Sequence, residues 1–445
     1  MARINRDGAL RALRHRNFRL LFPANVLSNI GTWAQRVAQD WLVLELTHSA
    51  NLLGLVTALQ FLPSLLLSLY GGVLADRFDK RNLLIFTNIG AGLGSALMGT
   101  LVITGAIQVW EVCLLAFAVG IFSALDAPVR TAFNSELVGD SDIASAISLN
   151  SATFNAGRLV GPALSGLLIV AFGTGPSFLV NSLSYVFVVV ALLMMRPHEL
   201  HIKVKPNSTA KLRTALTYVR NQRQIFLVMV AVFFATTFGL NFQIFTALMA
   251  TKEFGKGPAE FGLLGSVLAI GSFSGVLISA RLERFRVPKV VMLGAMAFGL
   301  LLIATAWMPS YATYALSLPL VGGVALMTLI SANSYVQTHC EPHLRGRVMG
   351  IYLLIFMGGT PIGSPLIGML TEAIGIRLTI TICGIIVAAA GALLFVILRR
   401  ASRQEANTPS TASGDSESRV APSQHKRGEL EDPHPETGSI RALVD

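Results

Sequence analysis

Asn25, Asn29, Thr32, Arg36 and Asp40 follow one another at steps of four, three, four and four residues. On a helix that spacing is one face. Ser28, Gln35 and Gln39 widen it, inside a run from 18 to 46 that is otherwise apolar. Taking the run's far end near Leu46, a rise of ~1.5 Å per residue sets Arg36 about 15 Å deep, near the middle of a ~30 Å hydrocarbon layer. Asp40 then lies about 9 Å deep. The two charges are one helical turn apart and can pair. Two readings stand side by side: a site that binds and releases a proton, or a structural pair pinning this helix to a neighbour. In either case the face must look into protein or water, because a charge facing lipid is costly. Asp40 is the one acid well inside an apolar run; Glu111 and Glu372 lie near the ends of theirs.

Other apolar runs carry isolated polar groups: Gln60, then Asn150, Asn155 and Arg158, then Asn181, then Asn241 and Gln243. Trp33, Phe154, Phe242 and Phe245 can supply aromatic walls. Together they describe a cavity that is mostly apolar with a few polar handles, which suits an amphipathic or aromatic organic molecule. The lining candidates are Asn29, Trp33, Gln39, Gln60, Asn150, Phe154, Arg158, Asn241 and Gln243, with Asp40 and Arg36 as the proton-coupling candidates. Each lone amide reads equally as glue between helices.

The elements that must position these residues follow from composition. The chain is 53% hydrophobic and 13% charged, with mean hydropathy +0.62, which is the balance of a polytopic membrane protein. Apolar runs of spanning length fall at about 18–46, 52–73, 83–105, 109–126, 146–172 and 176–195, and again at about 225–250, 260–280, 289–308, 312–333, 348–373 and 377–398. The first run is too long for a signal peptide and lacks a cleavage site, so it is expected to stay as an anchor. Lengths near ~20 residues predict helices rather than barrel strands. The expected fold is an all-α membrane protein of twelve transmembrane helices, in two six-helix parallel-repeat halves around a central cavity.

The predicted organisation is a first half over 1–195, a linker with a surface-lying amphipathic helix over 196–224, a second half over 225–400 and a disordered tail over 401–445. With the N-terminus inside, the cytoplasmic segments next to the spans hold 26 Lys and Arg while the outer loops hold three, Lys252, Lys256 and Arg377. That bias sets both termini in the cytoplasm of a cell inner (plasma) membrane. It also accounts for the net charge of +11 without nucleic acid as a partner. Cys113, Cys340 and Cys383 are far apart and form no metal-ligand spacing. No Walker A loop, HExxH or GxSxG occurs, so neither ATP-driven work, enzyme chemistry, a cofactor nor a metal is expected. The partners expected are a small-molecule substrate, protons and the lipid bilayer, with the chain a monomer.

Gly157, Gly161, Gly166 and Gly173 match Gly359, Gly363, Gly368 and Gly375 at a constant offset of 202. ADRF at 75–78 is echoed by LERF at 282–285. Two like-oriented halves would be a parallel repeat, with the substrate site at their interface near the midplane. Gly157, Gly161 and Gly166, with Pro162 beside them, form a smooth bent strip for close helix approach, as do Gly359, Gly363 and Gly368.

GGVLADRFDKRNLL at 71–84 resembles the signature loop of the major facilitator superfamily, carried by Gly72, Leu74, Ala75, Asp76, Arg77, Lys80 and Arg81. Asp79 stands where that signature has its second glycine. The resemblance covers about residues 10–400 and is closest to the branch of enterobactin, macrolide and multidrug exporters. It implies alternating access, and a cytoplasmic latch between the halves formed by Asp76, Arg77, Arg81 and Asp126. GPALSG at 161–166 resembles the superfamily's antiporter motif, which implies that inward proton flow drives efflux of an amphipathic organic compound, drug-like or siderophore-like. Other drug antiporters of the superfamily carry an Arg within the fourth span, and the run 109–126 has none. An uptake symporter or facilitator on the same fold, and a non-transporting receptor, are the alternatives.

Overall fold

Glycines and capping side chains divide this apolar chain into helices. The computed structural model describes residues 10–201, 212–281 and 287–407. All regular structure among them is helical. The elements are α1 (Arg16–Thr47), α2 (Ala50–Arg77), α3 (Lys80–Ile103), α4 (Val109–Phe172), α5 (Gly175–Leu193), α6 (Leu212–Asn221), α7 (Arg223–Phe234), α8 (Phe242–Leu248), α9 (Pro258–Arg281), α10 (Pro288–Ala306), α11 (Tyr311–His339), α12 (Arg345–Ile374) and α13 (Ile376–Asn407). Asp79, at the signature's glycine position, caps α3 by accepting from the Asn82 N–H at 2.8 Å, a role that glycine fills less well. Gln108 with Glu111, and Ser310 with Thr313, close capping boxes at α4 and α11. Gly173 and Gly375, equivalent in the 202-residue repeat, end α4 and α12 at φ 80° and 83°, the left-handed region open to glycine.

Ten helical stretches among the described residues are long and apolar enough to cross a membrane. The polar stripe keeps α1 from being one of them. Large apolar side chains face outward, with Leu316 79% and Phe172 72% exposed, the inverse of a water-soluble surface.

Two segments differ from the sequence expectation. The stretch 127–145, expected as a loop, is helical: α4 runs on past Asp126 and breaks only at Gly139, at φ 67°. Val129, Phe133 and Leu137 sit at steps of four and bury against Ala12, Phe18 and Leu84, which gives the extension an apolar reason to stay helical. Its acids are matched as well. Glu136 pairs with Lys80 at 2.7 Å, and Asp142 with Arg11 and His15 at 3.0 and 2.9 Å. The run expected as one span over 225–250 is interrupted. Ala235–Gly239 and Met249–Glu253 are π-helical, and Leu240 and Asn241 lie outside the helix.

The matched glycines have matched contacts. A Cβ on Gly157 would stand 2.7 Å from the Asn29 carbonyl carbon, and one on Gly161 2.8 Å from the Ile30 oxygen, so α4 lies backbone-to-backbone on α1. Gly359 and Gly363 bring α12 equally close to Thr236 and Thr237 of the π-helical segment. Gly166 abuts Pro258 and Ala259 of α9, while Gly368 abuts Ala50 and Asn51 of α2. The LERF echo falls outside the described residues, as do residues 202–211 of the linker and the tail beyond Asn407. α6 buries Ala215 and Val219 in a core shared with α7 and α12.

Contacts between residues 16–193 and residues 223–400 gather at the end of the bundle where α1 finishes. α2 packs on α12 and α4 on α9. Ser266 donates to the Leu159 carbonyl at 2.6 Å, Trp41 stacks on Phe261, and Glu372 accepts from the Ala50 N–H at 3.1 Å. At the other end, where α1 begins, Glu136 pairs with Lys80 and Asp142 with Arg11 and His15, and neither acid pairs with residues 223–400.

Candidate functional site

The polar face of α1 looks into protein, as its cost in lipid requires. Asn29, Thr32, Trp33 and Arg36 line a cavity of about 340 Å³ with Asn150 and Phe154 of α4. Gln60 and Phe61 of α2 line a small adjoining cavity, which Arg36 also borders. Trp33 and Phe154 meet edge-on at 5.7 Å. Gly157 and Gly161 let α4 lie close enough on α1 for that contact.

The pairing expected of Arg36 and Asp40 is not formed. Arg36 places its guanidinium carbon 4.8 Å from the centre of the Trp33 ring and 5.2 Å from that of Phe61. No ion pair joins it to Asp40 among the described residues. The aromatic faces offer Arg36 a cation–π site on the cavity side, away from Asp40. Asp40 is 3% exposed, and its Oδ2 is buried without a hydrogen-bond partner. Gln39 is 1% exposed with its Nε2 equally unpartnered, so it is buried away from the cavity. Gln35 accepts from Asn181 of α5 at 2.6 Å, an inter-helix amide bond.

A second charged group, absent from the sequence expectation, lines the same cavity. Arg130 lies within α4 and holds Asp126 through two bonds, Nε to Oδ2 at 2.6 Å and Nη2 to Oδ1 at 3.0 Å. It also donates to Asn25 of α1. Thr87 and Asn88 of α3 donate to Asp126 at 2.9 and 2.8 Å. An arginine is therefore built into this helix after all. The i, i+4 spacing of Asp126 and Arg130 was the available signal.

Two of the four latch candidates, Arg81 and Asp126, make their contacts within residues 16–193 in this conformation. Asp126 spends its acceptors on α3 and α4, and Arg81 donates to the Leu192 and Leu193 carbonyls at the end of α5, at 2.7 and 3.0 Å. Neither reaches residues 223–400. Arg77 is exposed, and the side chain of Asp76 lies outside the described residues.

Arg158 stands beside the cavity, its guanidinium carbon 5.8 Å from the Trp33 ring centre. Asn241 is 3% exposed and donates to the Thr237 carbonyl at 2.8 Å, occupying an acceptor within the π-helical segment. It is a helix-repair residue rather than a lining one. Gln243 is half-buried and outside the lining. Phe242 and Phe245, expected as walls, are core residues packed with Phe298 and Phe261. The three cysteines are free.

A helical bundle with lipid-suited flanks and a polar cavity, closed at one end by glycine-lined helix contacts, is the architecture of a membrane transporter. The chain belongs to the MFS_3 family, Transmembrane secretion effector, of the major facilitator superfamily, which it matches over residues 7–429. It is 26% identical over 374 residues to the staphyloferrin A transporter of Staphylococcus aureus, covering 82% of this chain and 92% of that one. It is 22% identical over 401 residues to the enterobactin exporter EntS of Salmonella typhi, covering 90% and 96%. Among solved structures, a bacterial homologue of the human lysosomal transporter Spinster, inward-facing and occupied, superposes with a TM-score of 0.69 at 16% identity, covering 86% and 97%. These relatives are transporters, not enzymes.

Proposed function

We propose that this protein is a proton-coupled exporter of a small amphipathic organic compound, drug-like or siderophore-like, working by alternating access as a monomer. Twelve spans follow when the stretch over 109–172 is counted twice across Gly139 and α1 is added to the apolar ten. They divide into six-helix halves over 1–195 and 225–400, joined by the linker at 196–224 and followed by a tail over 401–445. The positive-inside bias orients both termini to the cytoplasm of the inner membrane. The closed end is then the outer one, and the cavity opens inward. In this setting Asp76, Arg77, Arg81 and Asp126 form the cytoplasmic latch, which pairs across the halves once they close inward.

The observation that carries the reading is Asp40. It is a buried carboxylate with an unpartnered oxygen, one helical turn beyond an arginine that lines the cavity. Such a group can take up a proton when the site opens outward and surrender it when the site opens inward. The kinship with an enterobactin exporter supports the outward direction.

Asp40→Asn is expected to abolish proton-driven efflux from proteoliposomes while insertion and folding persist. The measurement is substrate flux under an imposed pH gradient, with size-exclusion profiles as the folding control. Unchanged gradient-driven flux in the variant sinks the assignment of Asp40.

A further inference from the structure

The charges around the cavity do not balance. Arg130 is neutralised by Asp126 through two hydrogen bonds. Among the described residues Arg36 has no carboxylate within ion-pairing distance; its Nε is buried without a hydrogen-bond partner, and aromatic rings are what its guanidinium meets. Arg158 has none among them either. Its guanidinium meets the same Trp33 ring, so the two guanidiniums lie no further apart than the sum of their distances to that ring, 4.8 and 5.8 Å.

The other side of the bundle cannot supply the missing acid. Residues 223–400 contain no aspartate, and their glutamates are Glu253, Glu260, Glu283, Glu341 and Glu372. Glu253, Glu260 and Glu372 lie at the closed end, with Glu253 and Glu372 held by Arg377 and Lys252. Glu341 precedes α12 at the opposite end, and Glu283 is in the segment after α9. Two like charges held on one ring, one lining the cavity and one beside it, repel each other where water is scarce. A ligand carrying negative charge relieves both that repulsion and the lost solvation, and a guanidinium is the side chain best shaped for carboxylate or phenolate oxygens.

We infer that the cavity selects an organic anion, an aromatic or amphipathic molecule whose carboxylate or phenolate is clamped by Arg36 and Arg158 while its flat part lies against Trp33 and Phe154. This rests on the exporter reading for its direction of transport, but not for binding. The Asp40 proton site lies one turn beyond Arg36.

The test uses three coumarins of one shape: coumarin-3-carboxylate, its neutral methyl ester and a trimethylammonium-ethyl ester. Their binding to the purified full chain in nanodiscs is followed by fluorescence polarisation. The carboxylate should bind at least tenfold more tightly than either ester. Arg36→Gln and Arg158→Gln should each weaken the carboxylate about tenfold and leave the methyl ester unchanged. Arg36→Lys and Arg158→Lys, which keep the charge, should retain the anion preference, and this pair carries the test if a glutamine variant fails to fold. Equal or tighter binding of an ester, no binding by any of the three, or a preference that survives the double glutamine variant overturns the inference. Flux measured in parallel separates the two proposals. Anion-selective binding without gradient-driven transport supports the clamp and sinks the exporter, whereas gradient-driven transport of the cationic ester alone sinks the clamp and keeps the exporter.

Discussion

Residues 16–193 and residues 223–400 bury different kinds of group. The first region holds Arg36, Asp40, Asp126 and Arg130 in its interior and ties its helices together through side chains. Asn181 bonds Gln35, Asn29 bonds Thr153, and Thr87 and Asn88 bond Asp126. The second region has its acids at helix ends, and several of its buried threonine, serine and asparagine side chains turn back on their own helix, although the Tyr352 hydroxyl donates across to the Leu329 carbonyl. Thr236 bonds Val232, Asn241 bonds Thr237, Thr328 bonds Val324 and Ser331 bonds Met327. A polar group satisfied by its own helix makes no demand on the neighbour, while one satisfied across helices fixes a register. The first region is therefore the rigid, chemically equipped wall. The second meets it mostly through glycines and aromatic rings, with the hydrogen bonds of Ser266 and Glu372 beside them, and when these part Glu372 still has Lys252.

Breaking the rigid wall should have the largest effect. Asp126→Ala leaves the partly buried Arg130 without its counter-charge and its charged hydrogen bonds, a loss of about 2–3 kcal/mol, read as a fall in thermal unfolding temperature in detergent. The matched change in the other region, Asn241→Ala, removes a neutral bond within one helix and should cost about 1 kcal/mol. Comparable losses from the two would erase the contrast.

Next come the glycines that the two regions share. Gly161→Val and Gly363→Val each force a branched side chain against a facing backbone, and overpacking of this kind costs roughly 1–3 kcal/mol. Fluorescence-detected size exclusion should show a similar drop in folded yield for both. Full tolerance of one but not the other would show that the repeat has stopped being a repeat in packing.

The smallest effect belongs to the seam between the regions. Glu372 touches the Ala50 N–H and Lys252 and is partly exposed, so Glu372→Gln should cost less than about 1 kcal/mol after solvent screening. Paired spin labels on the closed ends of α2 and α12 should nonetheless report a broader distance distribution. An unchanged distribution would assign the seam to glycine packing alone.

The polar face of α1 was legible because its period is visible in the residues themselves. Trp33, Asn150 and Phe154 were placed with it on composition alone, and the geometry brings them to one cavity. Arg130 was missed for an instructive reason. Pro128, Asn134 and Gly139 punctuate 127–145 like a loop, yet Val129, Phe133 and Leu137 repeat every four residues and prevail through tertiary contacts. The unpaired state of Arg36 and Asp40 was not legible, since pairing along the helix lost to aromatic faces supplied partly by another one, at Phe61. The π-helical segment Ala235–Gly239 leaves no mark in hydropathy, and it lies where Gly363 brings another backbone against Thr237.

The pair inside α4 also bears on how the chain enters the bilayer. Asp126 and Arg130 meet within one helix, so the ions can neutralise each other as that segment leaves the translocon, without help from a partner helix. Arg36 and Asp40 share that spacing but part in the finished structure, where Arg36 turns to Trp33 and Phe61. α1 therefore reaches its final arrangement only when α2 brings Phe61 and α4 and α5 bring the cavity walls. The first helix made is in this sense the last one committed, and the order of synthesis is not the order of assembly.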